Sequence, residues 1–241
     1  MSPKHPRPAF ADRELALAWQ SLSLLFGYPD ERLLGELPTI GSASQELPGV
    51  LGDPIRAFVV HAESTPLGRL QADYVETFDS RRRCNLFLTY FSHGDTRKRG
   101  VALLRFKQTY LRSGYVVDAS ADHGGELPDH LCVVLEYAAT VDRARGWGLL
   151  LDHRASLELL RLALRDAASP WAVPAEALCA TFPPLRGDEW DAVRRLAAEG
   201  PPEEEVGLDP YAGPVFDPAL DGGPVLSSRQ ELPTPSFPGG R

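Results

Sequence analysis

Cysteine is scarce in this 241-residue chain: Cys84, Cys132 and Cys179 are the only three, and no two form a CxxC pair. Such a set argues against a disulfide framework, a structural zinc site and a thioredoxin-like redox motif, and suits a reducing compartment. Long apolar runs are also missing; none approaches the roughly 18–20 residues that cross a bilayer. The opening MSPKHPRPAF leads into Asp12, Arg13 and Glu14 and not into an apolar stretch. No signal peptide is therefore expected, and the expected location is cytoplasmic. There is no GxxxxGK followed by Ser or Thr, no GxGxxG after a strand and no GxSxG. Nucleotide-dependent and hydrolase chemistry thus have no foothold. Among six histidines, His93, His123 and His130 sit near Asp95, Asp122 and Asp129, which invites a metal reading. None has HExxH or H-x3-H spacing, and the glycines around them suit loops with solvated or capping histidines. No metal and no cofactor of its own is expected.

What is present is ordinary for a soluble globular protein: 43% apolar and 24% charged residues. The net charge of −8 is uneven. Residues 201–241 hold seven acids and two bases, a balance of −5, together with nine prolines and six glycines. That composition cannot build a packed core, so 201–241 is expected to be a mostly disordered tail. The other 200 residues carry 26 acids and 23 bases, a balance of −3, so general affinity for nucleic acid is not expected from net charge. Residues 1–11 are expected to be a flexible end and 12–200 one all-helical domain.

The body reads as helix after helix. From Asp12 to Phe26, Leu15, Ala18, Trp19, Leu22, Leu25 and Phe26 recur on one helical face, and Gly27 and Pro29 stop the run. A short helix is expected at 31–37 and a loop at 41–52. Asp53-Pro54 and Thr65-Pro66 each read as a cap followed by proline at the first helical position, opening helices near 54–63 and 66–78. Asp95 or Thr96 caps a helix to about Arg112, closed by Gly114. The polar stretch 115–127 reads as a linker. Pro128 opens a helix to about Arg145, Gly146 and Gly148 mark a turn, and a leucine-rich helix follows at 149–167. Two more helices end at Cys179 and near Glu199. No stretch has a clear period of two. The expected fold class is all-α, a single bundle of eight or nine helices.

Two basic clusters, Arg81-Arg82-Arg83 and Arg97-Lys98-Arg99, flank Phe87, Tyr90 and Phe91. The six cations are candidate anion contacts, the competing reading being a solvated rim. In Glu126-Leu127-Pro128-Asp129-His130-Leu131, Asp129 falls in the expected first helical turn, where a carboxylate suits the helix dipole. By itself that is a helix start, with Asp129 as a cap.

ELPDHL (126–131), followed by Glu136-Tyr137-Ala138, resembles the signature of the TorD-like redox-enzyme maturation chaperones. Tyr74-Val75-Glu76-Thr77-Phe78-Asp79, CNLFLTYFSHGDTRKRG (84–100), ALLRFKQTYLRSGY (102–115) and GPPEEEVGLDPY (200–211) are similar to its NarJ branch. The blocks occur in order over about 12–211. The resemblance implies an all-helical chaperone, not an enzyme. It would bind the apo catalytic (alpha) subunit of respiratory nitrate reductase, chiefly at its N-terminal segment, and hold it for molybdenum cofactor insertion and assembly. The machinery that delivers the molybdenum cofactor is a further implied partner; nucleic acid and direct membrane insertion are not.

The family motif falls on Glu126, Pro128, Asp129 and His130, expected as an exposed part of the client-peptide site. An amphipathic client helix needs an exposed apolar groove. The candidates are Tyr74, Phe78, Leu86, Phe87, Tyr90 and Phe91, and ordinary core is the competing reading for each. Two other classes stay open: an enzyme using Asp129 and His130, whose adjacent side chains would diverge on a helix, and a nucleic-acid-binding regulator using the basic clusters.

Overall fold

A computed structural model of the chain describes residues 5–94, 96–117 and 127–200. Among these the regular structure is helical, with no strand. The elements are α1 (Asp12–Leu25), α2 (Glu31–Ser44), α3 (Gly49–Ser64), α4 (Leu67–Tyr74), α5 (Tyr90–His93), α6 (Arg97–Arg112), α7 (Leu131–Thr140), α8 (Arg143–Asp152), α9 (Arg154–Asp166), α10 (Ala172–Ala180) and α11 (Gly187–Glu199). A π-helical turn (Val75–Asp79) continues α4, and a 3-10 turn spans Arg82–Cys84.

The apolar stripe of α1 makes it the central element. Leu15, Ala18, Trp19, Leu22, Leu25 and Phe26 are fully buried, and α1 packs on α7, α2, α10 and α3. Each large side chain so buried contributes roughly 1.5–3 kcal/mol. The end of α1 would bury unpaired carbonyls, and two aromatic donors satisfy them. Trp171 Nε1 donates to the Leu25 carbonyl at 3.0 Å, and the Tyr74 hydroxyl donates to that of Phe26 at 3.0 Å.

Several boundaries differ from the sequence expectation. Helix α2 runs through Pro38 to Ser44, because Leu33, Leu37, Ile40 and Ser44 keep one buried face while Pro38 faces solvent. The expected loop at 41–52 shrinks accordingly. Helix α3 starts at Gly49, so Pro54 lies inside it, and Asp53 pairs with Arg56 in place of capping. The expected helix from 128 to 145 is shorter. It starts at Leu131 and ends at Thr140, and Asp142 then caps α8 by accepting from the Arg145 N–H at 3.0 Å.

Gly146, expected in a turn, lies within α8 against α7. A Cβ there would stand 2.3 Å from Ala138 Cβ. The leucine-rich helix divides at His153 into α8 and α9. These breaks raise the count among the described residues from the expected eight or nine helices to eleven. Residues 5–11, expected to be loose, lie along α8: the Pro6 carbonyl accepts from Trp147 Nε1 at 2.8 Å. The expected tail 201–241 and most of the linker fall outside the described residues.

Candidate functional site

The segment Pro128-Asp129-His130 is held from beneath by residues 86–89. An antiparallel bridge joins Phe87 and His130. Leu88 N–H donates to the Asp129 carbonyl at 3.0 Å, and Leu131 N–H donates to that of Leu86 at 2.9 Å. Asp129 is fully buried. Its Oδ2 accepts from Thr89 N–H at 3.2 Å and from the Thr89 hydroxyl at 2.5 Å, and lies 3.6 Å from Arg99 Nη2. Arg99 Nε also donates to Thr89 Oγ1 at 3.2 Å, and the guanidinium sits over the Phe87 ring at 5.0 Å. The His130 ring meets Phe87 edge-on at 5.1 Å.

Tyr110 completes this clasp, its hydroxyl donating to the Pro128 carbonyl at 2.6 Å. Burial, followed by the nearby Tyr115, Asp129 and Tyr137, pushes the Tyr110 hydroxyl above its ordinary pKa, so it stays a donor. The clasp thus ties the 86–89 segment, the start of α7 and the inner face of α6 together. Such a charge is tolerated inside only because it is paired and hydrogen-bonded.

Two expectations for the motif are corrected here. Asp129 is not exposed, and it caps no helix, since its carboxylate turns to Thr89 and the N-cap of α7 is His130. Glu126 lies outside the described residues.

A second feature is open. Between α9, α11 and the 3-10 turn runs a groove of about 490 Å³. Phe91, Leu159, Leu162, Ala163, Leu196 and Ala197 supply apolar surface, and Arg81, Arg82 and Arg83 stand exposed along its lining. Arg81 is held by Glu76 at 2.9 Å. The groove therefore brings together three candidate anion contacts and one candidate apolar contact, Phe91. A groove with an apolar floor and a charged edge can take an amphipathic segment.

The sequence family described as nitrate reductase delta subunit matches residues 44–176, more than half of the chain. The chain belongs to the nitrate reductase delta subunit family. Over 165 residues it is 41% identical to the nitrate reductase-like protein NarX of Mycobacterium tuberculosis, covering 68% of this chain and 24% of NarX. It thus spans about a quarter of that relative. It is 35% identical over 133 residues to NarJ of Bacillus subtilis, covering 54% of this chain and 68% of that protein. It is 31% identical over 155 residues to the nitrate reductase molybdenum cofactor assembly chaperone NarJ of Escherichia coli, covering 63% and 64% of the two chains. The fold matches the crystal structure of a protein described as a redox enzyme maturation protein from Archaeoglobus fulgidus. The TM-score is 0.50, with 22% identity over 75% of this chain and 98% of that one. The sequence likenesses place the chain with the NarJ-type proteins, and the structural match shows the shared fold.

In this delta-subunit family protein most of the aromatic candidates are core. Tyr74, Leu86, Tyr90 and Phe91 are buried, and Phe78 and Phe87 are half-buried. The expectation of six exposed apolar contacts is thereby corrected. Tyr74 and Phe78 pack around Trp171, at ring distances of 5.5 Å each. Of the second basic cluster, Arg97 and Lys98 are exposed while Arg99 points into the clasp. Lys98 lines a different cavity from Arg81–Arg83, so the two clusters do not share one anion site.

Sequence reasoning missed Thr89 and Glu158. Glu158 is buried between Arg154 at 2.6 Å and Arg161 at 2.8 Å on the same helix. Its i+3 partner Arg161 and i−4 partner Arg154 could have been read from the spacing; nothing local marks Thr89 as the partner of Asp129. Burial pushes the Cys179 thiol up to about 12 and also raises that of Cys84, so neither is an activated nucleophile. Among the described residues no group of three or more His, Cys, Asp or Glu could hold a metal ion. No helix among them is long and apolar enough to cross a membrane.

Proposed function

We propose that this chain is a system-specific maturation chaperone of respiratory nitrate reductase. It binds the apo catalytic subunit, chiefly its N-terminal segment, and holds it in the cytoplasm for molybdenum cofactor insertion and complex assembly. It acts by binding and not by turnover. The observation that carries this reading is the groove between α9 and α11, taken with membership of the family. Leu162 and Leu196 are only partly covered there, and exposed apolar side chains grouped in a concavity favour an amphipathic helix. The buried clasp at Asp129 then serves by positioning: it fixes the 86–89 segment, which leads directly into α5 and Phe91. Pro128, Asp129 and His130 support the site from within.

Calorimetric titration of a peptide from the N-terminus of the catalytic subunit tests this. Leu162→Glu and Leu196→Glu are each expected to weaken binding at least tenfold, about 1.4 kcal/mol. Unchanged affinity in both variants would remove the groove as the client site. The nucleic-acid reading loses support because Arg99 turns inward to Asp129 and Arg81 is paired with Glu76.

A further inference from the structure

We propose that the outer face of α6 is a second docking surface, one that takes an acidic amphipathic helix of a partner protein as a two-helix seam. On that face Val101, Leu104 and Leu111 stand 64%, 53% and 62% exposed. With the exposed Gln108 they fall at 101, 104, 108 and 111, the alternating three- and four-residue spacing of a coiled-coil seam. Lys98, Arg105 and Arg112 follow at intervals of seven, in one line along the edge of that seam, and Lys107 flanks the other edge. Helix α6 contains no acidic residue, in a chain whose net charge is −8. Among the described residues none of these four cations has an ion-pair partner within the chain. Beside Val101, between Lys98 and Arg105, a cavity of about 300 Å³ is sized for a partner's side chain.

The opposite face anchors the helix. Phe106 and Tyr110 are buried, and Arg99 enters the clasp. The outer stripe is thus turned away from the body, with nothing described covering it. Charge complementarity selects the occupant. A second copy of α6 would set cations against cations, which disfavours self-pairing. A bilayer surface wants a wide apolar face carrying large aromatic residues, whereas this stripe is narrow and its aromatics point inward. A helix with apolar a and d positions and Glu or Asp at the flanks matches both the spacing and the charge.

The probe is a designed three-heptad peptide with Leu at a and d and Glu at e and g, labelled for fluorescence anisotropy and titrated with the full chain. Saturable one-to-one binding is expected. It should weaken at least tenfold with Leu104→Asp and fall with added salt. The triple reversal Lys98→Glu, Arg105→Glu, Arg112→Glu should abolish it and create binding to the matching peptide flanked by Lys. That gain also demonstrates that the variant is folded. Leu196→Glu in the groove should leave the affinity unchanged, so this result is separable from the client site. Absence of binding at about 1 mM peptide, or binding indifferent to the charge reversal, overturns the proposal. So does α6-dependent sedimentation with phosphatidylserine vesicles in the absence of peptide binding.

Discussion

Thr89 and Asp129 lie forty residues apart in the chain and meet at one buried carboxylate oxygen, which takes both the N–H and the hydroxyl of Thr89. The pair closes the clasp between two segments that a two-bond bridge and the Phe87–His130 ring contact also join. Its position beneath the molecular surface, and not on it, changes what a mutation in the motif should do.

Asp129→Ala is expected to be a stability variant. Removing one partner of a buried charged pair costs about 3–5 kcal/mol. In a domain of this size that lowers the melting temperature by roughly 6–20 °C. Peptide affinity, measured calorimetrically on the folded fraction, should stay within about threefold, or 0.65 kcal/mol. The reverse order, an intact melt with lost affinity, would move Asp129 to the peptide itself.

Gly146→Ala should force α7 and α8 apart, because the added Cβ would stand 2.3 Å from the Cβ of Ala138 and 2.5 Å from its Cα. Overpacking of this kind costs about 1–3 kcal/mol. Adding Ala138→Gly should restore only part of the loss, since the clash with the backbone at position 138 remains. Urea unfolding of the two single variants and the double variant would measure this coupling.

His153 sets a pH dependence. Burial holds its pKa below the ordinary 6.5, against smaller opposing effects from the Leu149 carbonyl and from Asp152. It sits against Phe106, at a ring distance of 5.1 Å. The unfolded chain therefore takes up this proton more readily than the folded one. Stability from the neutral ring is complete above about pH 6.5 and is lost as pH falls below it. The unfolding free energy of His153→Gln should change less with pH over that window than that of the parent chain. Parallel slopes in the two proteins would assign the pH dependence elsewhere.

Cys179 and Cys84 should be nearly inert to a thiol reagent at neutral pH. Their raised pKa values leave little thiolate, and burial blocks access. Both should react when the chain is unfolded in guanidinium. Rapid labelling of either in the native protein would mean that the helices around it open locally.

Much of the fold is legible in the chain because it is local. The 3.6-residue stripe of α1 marks its buried face, and Gly114, at φ 73, ends α6 where the sequence places a helix stop. The errors are also physical. Gly41 and Gly146 look like helix breakers and Pro54 like the first residue of a helix, yet each lies within a helix, where tertiary packing outweighs a propensity penalty of about 1 kcal/mol for glycine and about 3 for proline.

The sequence by itself determined the helical class, the family motifs and the charge pattern of α6, because helix periodicity and motif order are properties of neighbouring residues. Only the tertiary structure decided which of the marked residues are reachable. Asp129 is hidden because Thr89 and Arg99 come from distant positions to pair with it. Tyr74 is spent on the end of α1. Phe91 and Arg81–Arg83 share a groove with α11, more than a hundred residues further along the chain. Burial is a property of the whole packed set of helices. A side chain of fixed chemistry therefore becomes contact, clasp or core according to what the rest of the chain lays over it.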